Sequence, residues 1–166
     1  MTLAERLLPE LQQQLENTRK VLNEVPDGHN DFKSHEKSMP LSRLAGHTAE
    51  LAGFAVLHLT VPDINMGTPE DPRKILRMTQ KEDLLKEFEA LAERLLETLK
   101  STPDAAFDEP FTLRKQGNLV LQTTRYNAYR TIFLDHMIHH RAQLGVYLRL
   151  LGQKVPNTFG PTADDK

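Results

Sequence analysis

The sequence predicts an all-α protein, a four-helix bundle, and three observations carry that expectation. Apolar stripes recur at intervals of three and four residues in four separate segments. Clusters of proline, glycine and asparagine punctuate the chain between the first three of them. At 166 residues, with 39% hydrophobic and 27% charged residues, the chain has the length and balance of one domain spanning residues 1–166.

The first helix is expected over about residues 3 to 24, opened by a Thr2/Glu5 capping box and carrying Leu3, Leu7, Leu8, Leu11, Leu15 and Leu22. Pro26, Asp27, Gly28 and Asn30 break it, and a polar loop bearing His29 and His35 runs to Pro40. Helix two starts there and ends before Pro62; its stripe is Leu44, His47, Leu51, Phe54 and His58. Residues 61–78 hold three prolines and read as a connector with one helical turn near Ile75 and Leu76. A second capping box, Thr79 and Glu82, opens a third helix through Leu84, Leu85, Phe88, Leu91, Leu95 and Leu99 to Ser101. Phe111 to Leu121 divides around Gly117-Asn118, which fits a small hairpin or an extended loop but no longer sheet. From Thr123 to Leu151 the stripe Tyr126, Tyr129, Phe133, His136, His140, Leu144, Tyr147 and Leu151 marks the longest helix, with Gly152 as its C-cap.

Composition excludes several functions. Twenty-one basic against 23 acidic side chains leave a net charge of -2, so no charge-driven nucleic-acid partner is expected. No run approaches the roughly 18 apolar residues of a membrane span, and no signal-peptide core opens the chain, so the expected location is cytoplasmic. With no cysteine, thiolate metal sites and Cys nucleophiles are absent, and a metal has only His and carboxylates to bind.

The seven histidines divide by position. His29 and His35 are loop residues, and His58 lies three turns from His47, roughly 16 Å away. His136 and His140, four apart on one face, form a bidentate clip for a metal, although such a pair alone would serve equally as two hydrogen-bonded core residues. His47 adds a third imidazole on a core-facing stripe of another helix, and facing helices assemble metal sites in bundle interiors. A divalent ion satisfies one nitrogen of each, where three unpartnered buried imidazoles would be costly. His139 points elsewhere around the helix and pairs by spacing with Asp135. Asp135 and Glu50 are both candidates to orient a ligating ring, and the spacing does not choose between them. Arg141 suits an anionic group or an ion pair, while Tyr126, Tyr129 and Tyr147 read as core residues with polar tips. No catalytic residue is assigned.

The segment His136-Met-Ile-His-His140 lacks the glutamate of the H-E-x-x-H peptidases. The histidine stripes also lack the Glu-x-x-His of ferritin-like di-iron sites. Three histidines leave coordination positions open for water or substrate.

Leu44-Ala-Gly-His-Thr-Ala-Glu-Leu51 and Asp135-His-Met-Ile-His-His-Arg-Ala-Gln-Leu-Gly-Val-Tyr-Leu-Arg-Leu-Leu-Gly152 resemble the DinB/YfiT-like family of damage-inducible bundle proteins. The ending Val155-Pro-Asn-Thr-Phe-Gly-Pro-Thr-Ala-Asp164 is similar to that family's ending. The resemblance implies an up-down bundle with a long crossover and a divalent transition metal (zinc, nickel, iron or manganese) on His47, His136 and His140. It also implies a homodimer, and an enzyme of the hydrolase or thiol transferase type that takes a low-molecular-weight thiol or another small molecule. The alternative is a non-enzymatic metal-binding or stress-response bundle with a structural ion. The family's frequent tryptophan near the helix-two histidine is missing, and Phe54 is the aromatic on that helix.

Overall fold

A computed structural model describes residues 1–165. Four long helical rods surround one core: α1 (Leu3–Asn23), α2 (Leu41–Thr60), α3 (Lys81–Ser101) and a last rod running from Arg125 to Leu150. The last rod comprises a short α5 (Arg125–Asn127), wound after the one-turn α4 (Asp104–Phe107), then a π-helical stretch Ala128–Asp135 and α6 (His136–Leu150). Leu11, Leu22, Leu44, Leu51, Phe88, Leu95, Tyr129 and Phe133 fill the interior. The expected helical stripes are thus the packed faces.

The capping box forms at Thr2, whose hydroxyl accepts from the Glu5 amide while Glu5 accepts from the Thr2 amide. The one expected at Thr79 and Glu82 does not. Helix α3 begins after Gln80, and Asp27 from the α1–α2 loop accepts from the Lys81 amide at 2.7 Å instead. A distant carboxylate has taken the place of the local hydroxyl.

The rods do not simply alternate in direction. Arg19 of α1 pairs with Glu89 of α3, and the Leu3 amide bonds Asp104 just past the end of α3, so α1 and α3 are antiparallel. Met78 meets Ser42 and Leu91 meets Gly53, so α2 and α3 run parallel. Arg125 donates to the Leu59 carbonyl while His47 faces His136, so the last rod opposes α2. The order is up, down, down, up: the expected long crossover is present, between α2 and α3, and simple alternation of direction is what it corrects. The physical reason is the connector, residues 61–80, which returns along the length of α2, roughly 30 Å at 1.5 Å per residue.

That connector is extended where a helical turn was expected. Its first part is a strand, β1 (Asp63–Met66), parallel to β2 (Pro110–Lys115), which pairs antiparallel with β3 (Asn118–Thr124). The chain is therefore not strictly all-α; it adds a three-stranded sheet, larger than the hairpin foreseen. Gln116 and Gly117 both have positive φ, +48° and +82°, as a two-residue turn of type I′ requires. Ile64, Phe111 and Leu113 pack this sheet on Ala128, Leu57 and Ile132, against the π-helical stretch that leads into His136. Among the described residues no helix is long and apolar enough to cross a membrane.

Candidate metal centre

Because α2 and the last rod are antiparallel, the middle of one helix faces the corresponding turn of the other. His47 therefore projects toward His136 and His140, which the i, i+4 spacing stacks on a single face. The three rings meet with centroids 4.5–5.0 Å apart. His140 Nε2 lies 2.7 Å from His136 Nε2, and His47 Nε2 lies 3.4 Å from it. One ligand atom from each lies within 4.8 Å of the others, so the three histidines could hold a metal ion. His140 is buried, whereas His47 and His136 keep partial exposure at the seam between the helices.

Each ring is fixed from behind by an acceptor. His47 Nδ1 is 2.6 Å from Glu50 Oε1, a carboxylate that accepts only, so the proton sits on Nδ1. His136 Nδ1 is 3.2 Å from the Ile132 carbonyl. The π-helical stretch ends here, and the His136 amide bonds Phe133. His140 Nδ1 is 2.8 Å from the amide oxygen of Gln143. With all three Nδ1 atoms donating, all three Nε2 lone pairs point inward.

Burial supports the same protonation state. It pushes the His140 imidazole down to about 4, against the opposing hydrogen bond with Gln143. His136 is lowered by burial and then by the neighbouring His47. Both rings are neutral at pH 7 and present lone pairs rather than protons.

Glu50 anchors the centre. Its burial raises the carboxyl, but hydrogen bonds from His47, Arg43 and the Leu76 amide outweigh that and hold it below the usual carboxylate range. Arg43 Nη2 reaches it at 2.7 Å and Arg43 Nη1 donates to the Leu76 carbonyl at 3.1 Å. The extended connector approaches α2 this closely because residue 46 is glycine: a Cβ there would lie 2.3 Å from the Leu76 oxygen.

The remaining candidates lie elsewhere. His29 and His35 are exposed loop residues. His58 is buried against Phe111, its ring pushed down to about 4 by burial and then by His136. Asp135 and His139 are exposed and form no hydrogen bond with each other, so of the two carboxylates it is Glu50 that orients a ring. Tyr129 is fully buried with its hydroxyl unpartnered among the described residues, and the Tyr147 hydroxyl is committed to the Met39 carbonyl. Arg141 turns toward α1, and burial lowers it to about 10. Gln143, Arg43 and the Ile132 carbonyl were missed from sequence. Gln143 had a signal, since it stands three residues beyond His140 as Glu50 stands three beyond His47.

Comparison with known proteins agrees with this architecture. The chain is 22% identical over 148 residues to an uncharacterized protein, YrdA, of Bacillus subtilis strain 168, covering 89% of this chain and 83% of the relative. A crystal structure of a DinB-like protein from Bacillus cereus ATCC 10987 superposes with a TM-score of 0.70 at 20% identity, over 95% of this chain and 98% of that one. The DinB-like protein YjoA of Bacillus subtilis superposes with a TM-score of 0.68 at 16% identity, over 92% and 96%. The DinB family model matches residues 1–165, and the chain belongs to the DinB family.

Proposed function

We propose that the chain is a metal-dependent enzyme of the hydrolase or thiol transferase type, with His47, His136 and His140 as ligands of one divalent transition metal. The observation that carries this is the convergence of three Nε2 lone pairs whose Nδ1 protons are already engaged. Three acceptors at such distances repel one another; a proton shared across the 2.7 Å His136–His140 contact relieves one pair, whereas a divalent cation satisfies all three at once. The donor set, neutral imidazoles without thiolate, suits zinc, nickel or iron. Such an ion, when bound, supplies Lewis acidity that lowers the pKa of a water or thiol and so generates a nucleophile at neutral pH.

The chain's own residues hold the ring orientations. Glu50 keeps the His47 proton on Nδ1. Gln143 and the Ile132 carbonyl do the same for His140 and His136 without adding charge. The partial exposure of His47 and His136 supports access for a small molecule, low-molecular-weight thiols included. It favours an open catalytic centre over a structural ion that joins α2 to the last rod.

The test is elemental analysis of the untagged protein beside His47→Ala and His140→Ala. About one equivalent of a transition metal, lost in both variants while helical circular dichroism persists, is expected. Near-zero metal after incubation with zinc or nickel refutes the proposal. In the cobalt-substituted protein, azide or a small thiol perturbs the visible spectrum if a position is open; an indifferent spectrum supports the structural ion.

A further inference from the structure

Arg141 is a buried cation without a counter-charge. It is 3% exposed, and the groups that receive its hydrogen bonds are all neutral. Nη1 donates to the Gln14 carbonyl at 3.1 Å and to the Thr18 hydroxyl at 3.2 Å, and Nη2 donates to Gln14 Oε1 at 2.7 Å. Among the described residues no carboxylate pairs with it, and its Nε–H donates to nothing. Desolvating a guanidinium is costly unless a negative charge or a full set of acceptors compensates.

The same guanidinium lines a cleft of about 440 Å³ between α1, α6 and the C-terminal segment. Its walls are otherwise mostly apolar: Val21, Ile138, Gly145, Val155 and Phe159. The outer wall is held in place, since Asn17 donates to the Thr158 carbonyl at 2.9 Å and Thr162 donates to that of Val155 at 2.8 Å. The Phe159 ring stands 5.3 Å from the Arg141 guanidinium carbon. The other arginine at the rim, Arg149, is engaged by Asp164 at 2.7 Å. The cleft thus offers one positive charge with no anionic partner among the described residues and an apolar channel beside it, within the roughly 300–1,000 Å³ typical of small-molecule pockets.

We propose that this cleft binds an aliphatic monocarboxylate, with its carboxylate on the Nε and Nη2 edge of Arg141 and its chain along Val21, Gly145 and Val155. The planar guanidinium fork matches a carboxylate bidentately. A single charge selects a monoanion, and the apolar walls select an alkyl chain over a polar one. Gly145 supplies the room, because a Cβ there would already be in van der Waals contact with Val155 at 3.7 Å.

Calorimetric titration of the metal-loaded full chain with octanoate and with octanol tests this. One octanoate per chain is expected, bound about tenfold or more tighter than octanol, a preference that Arg141→Met abolishes. Gly145→Leu, which leaves the guanidinium in place, fills the channel and removes octanoate binding. His47→Ala binds octanoate as the wild type does, which separates the cleft from the metal centre. Octanoate that binds no tighter than octanol, or that Gly145→Leu leaves unaffected, overturns the proposal. So does a sedimentation-detected dimer that Gly145→Leu abolishes while octanoate is not taken up, since the cleft then belongs to a second copy.

Discussion

Replacing Glu50 by glutamine changes no volume and removes one charge, so it isolates what that carboxylate does. Its side chain is fully buried and serves three donors: His47 Nδ1 at 2.6 Å, Arg43 Nη2 at 2.7 Å and the Leu76 amide. A glutamine brings a single acceptor oxygen and an NH2 group, which must point at one of those donors. At least one charge-assisted hydrogen bond is lost, worth about 1.5–3 kcal/mol. Breaking a buried ion pair costs about 3–5 kcal/mol, but Arg43 is 17% exposed and keeps its bond to the Leu76 carbonyl, so solvent screens part of that. The expected cost for the metal-free protein, read in urea with a chelator present, is therefore about 2–3 kcal/mol. The His47 ring also loses its anionic partner, and metal affinity is expected to fall about 10–100-fold in competition with a chromophoric chelator. If Glu50→Gln loses stability but binds zinc within twofold of the wild type, Glu50 is only a structural anchor and the argument about ring orientation is refuted.

Three further outcomes are expected. Gln143→Leu weakens zinc binding by a smaller factor than Glu50→Gln, because a neutral amide makes the weaker hydrogen bond; a larger loss contradicts this ordering. Gly46→Ala costs about 2 kcal/mol or more in urea, since its methyl would stand 2.3 Å from the Leu76 backbone oxygen, which cannot rotate away; a neutral result shows that the connector yields. Burial lowers the folded pKa of His58 to about 4 from an ordinary 6.5. As pH falls the unfolded chain takes up this proton first, so stability present above pH 6.5 is lost progressively toward pH 4, on the order of 3 kcal/mol. His58→Leu should remove that share of the acid sensitivity, as measured by urea midpoints at pH 7.5 and 4.5. An unchanged pH dependence in the variant refutes the assignment.

The features legible in the sequence are those that a helix settles within two turns. The i, i+4 placement of His136 and His140 follows from 3.6 residues per turn, and so does the i, i+3 reach of Glu50 to His47, one of the two carboxylates the sequence offered; the same spacing of Gln143 to His140 went unread. The core stripes of α1, α2 and α3 obey the same period, so burial along those helices was readable. What escaped depends on residues far apart in the chain. Asp27 caps α3 across more than fifty positions, and β1 exists only because β2 offers it an edge. The parallel course of α2 and α3 is settled by how a connector lies on Gly46 and Glu50, which periodicity does not encode. The π-helical stretch is the subtle case: over the eight residues Ala128–Asp135 a wider turn shifts the apolar stripe too little to register as a change of period. Yet that shift joins fold to chemistry. An ordinary α-helix would bond the Ile132 carbonyl to the His136 amide, whereas here that amide bonds Phe133 and the Ile132 carbonyl receives the ring that turns its Nε2 toward His47 and His140. The sheet packed on Ile132 and Ala128 stabilises the stretch whose carbonyl receives the His136 ring, so the element least visible in the sequence supports the histidine most central to the site.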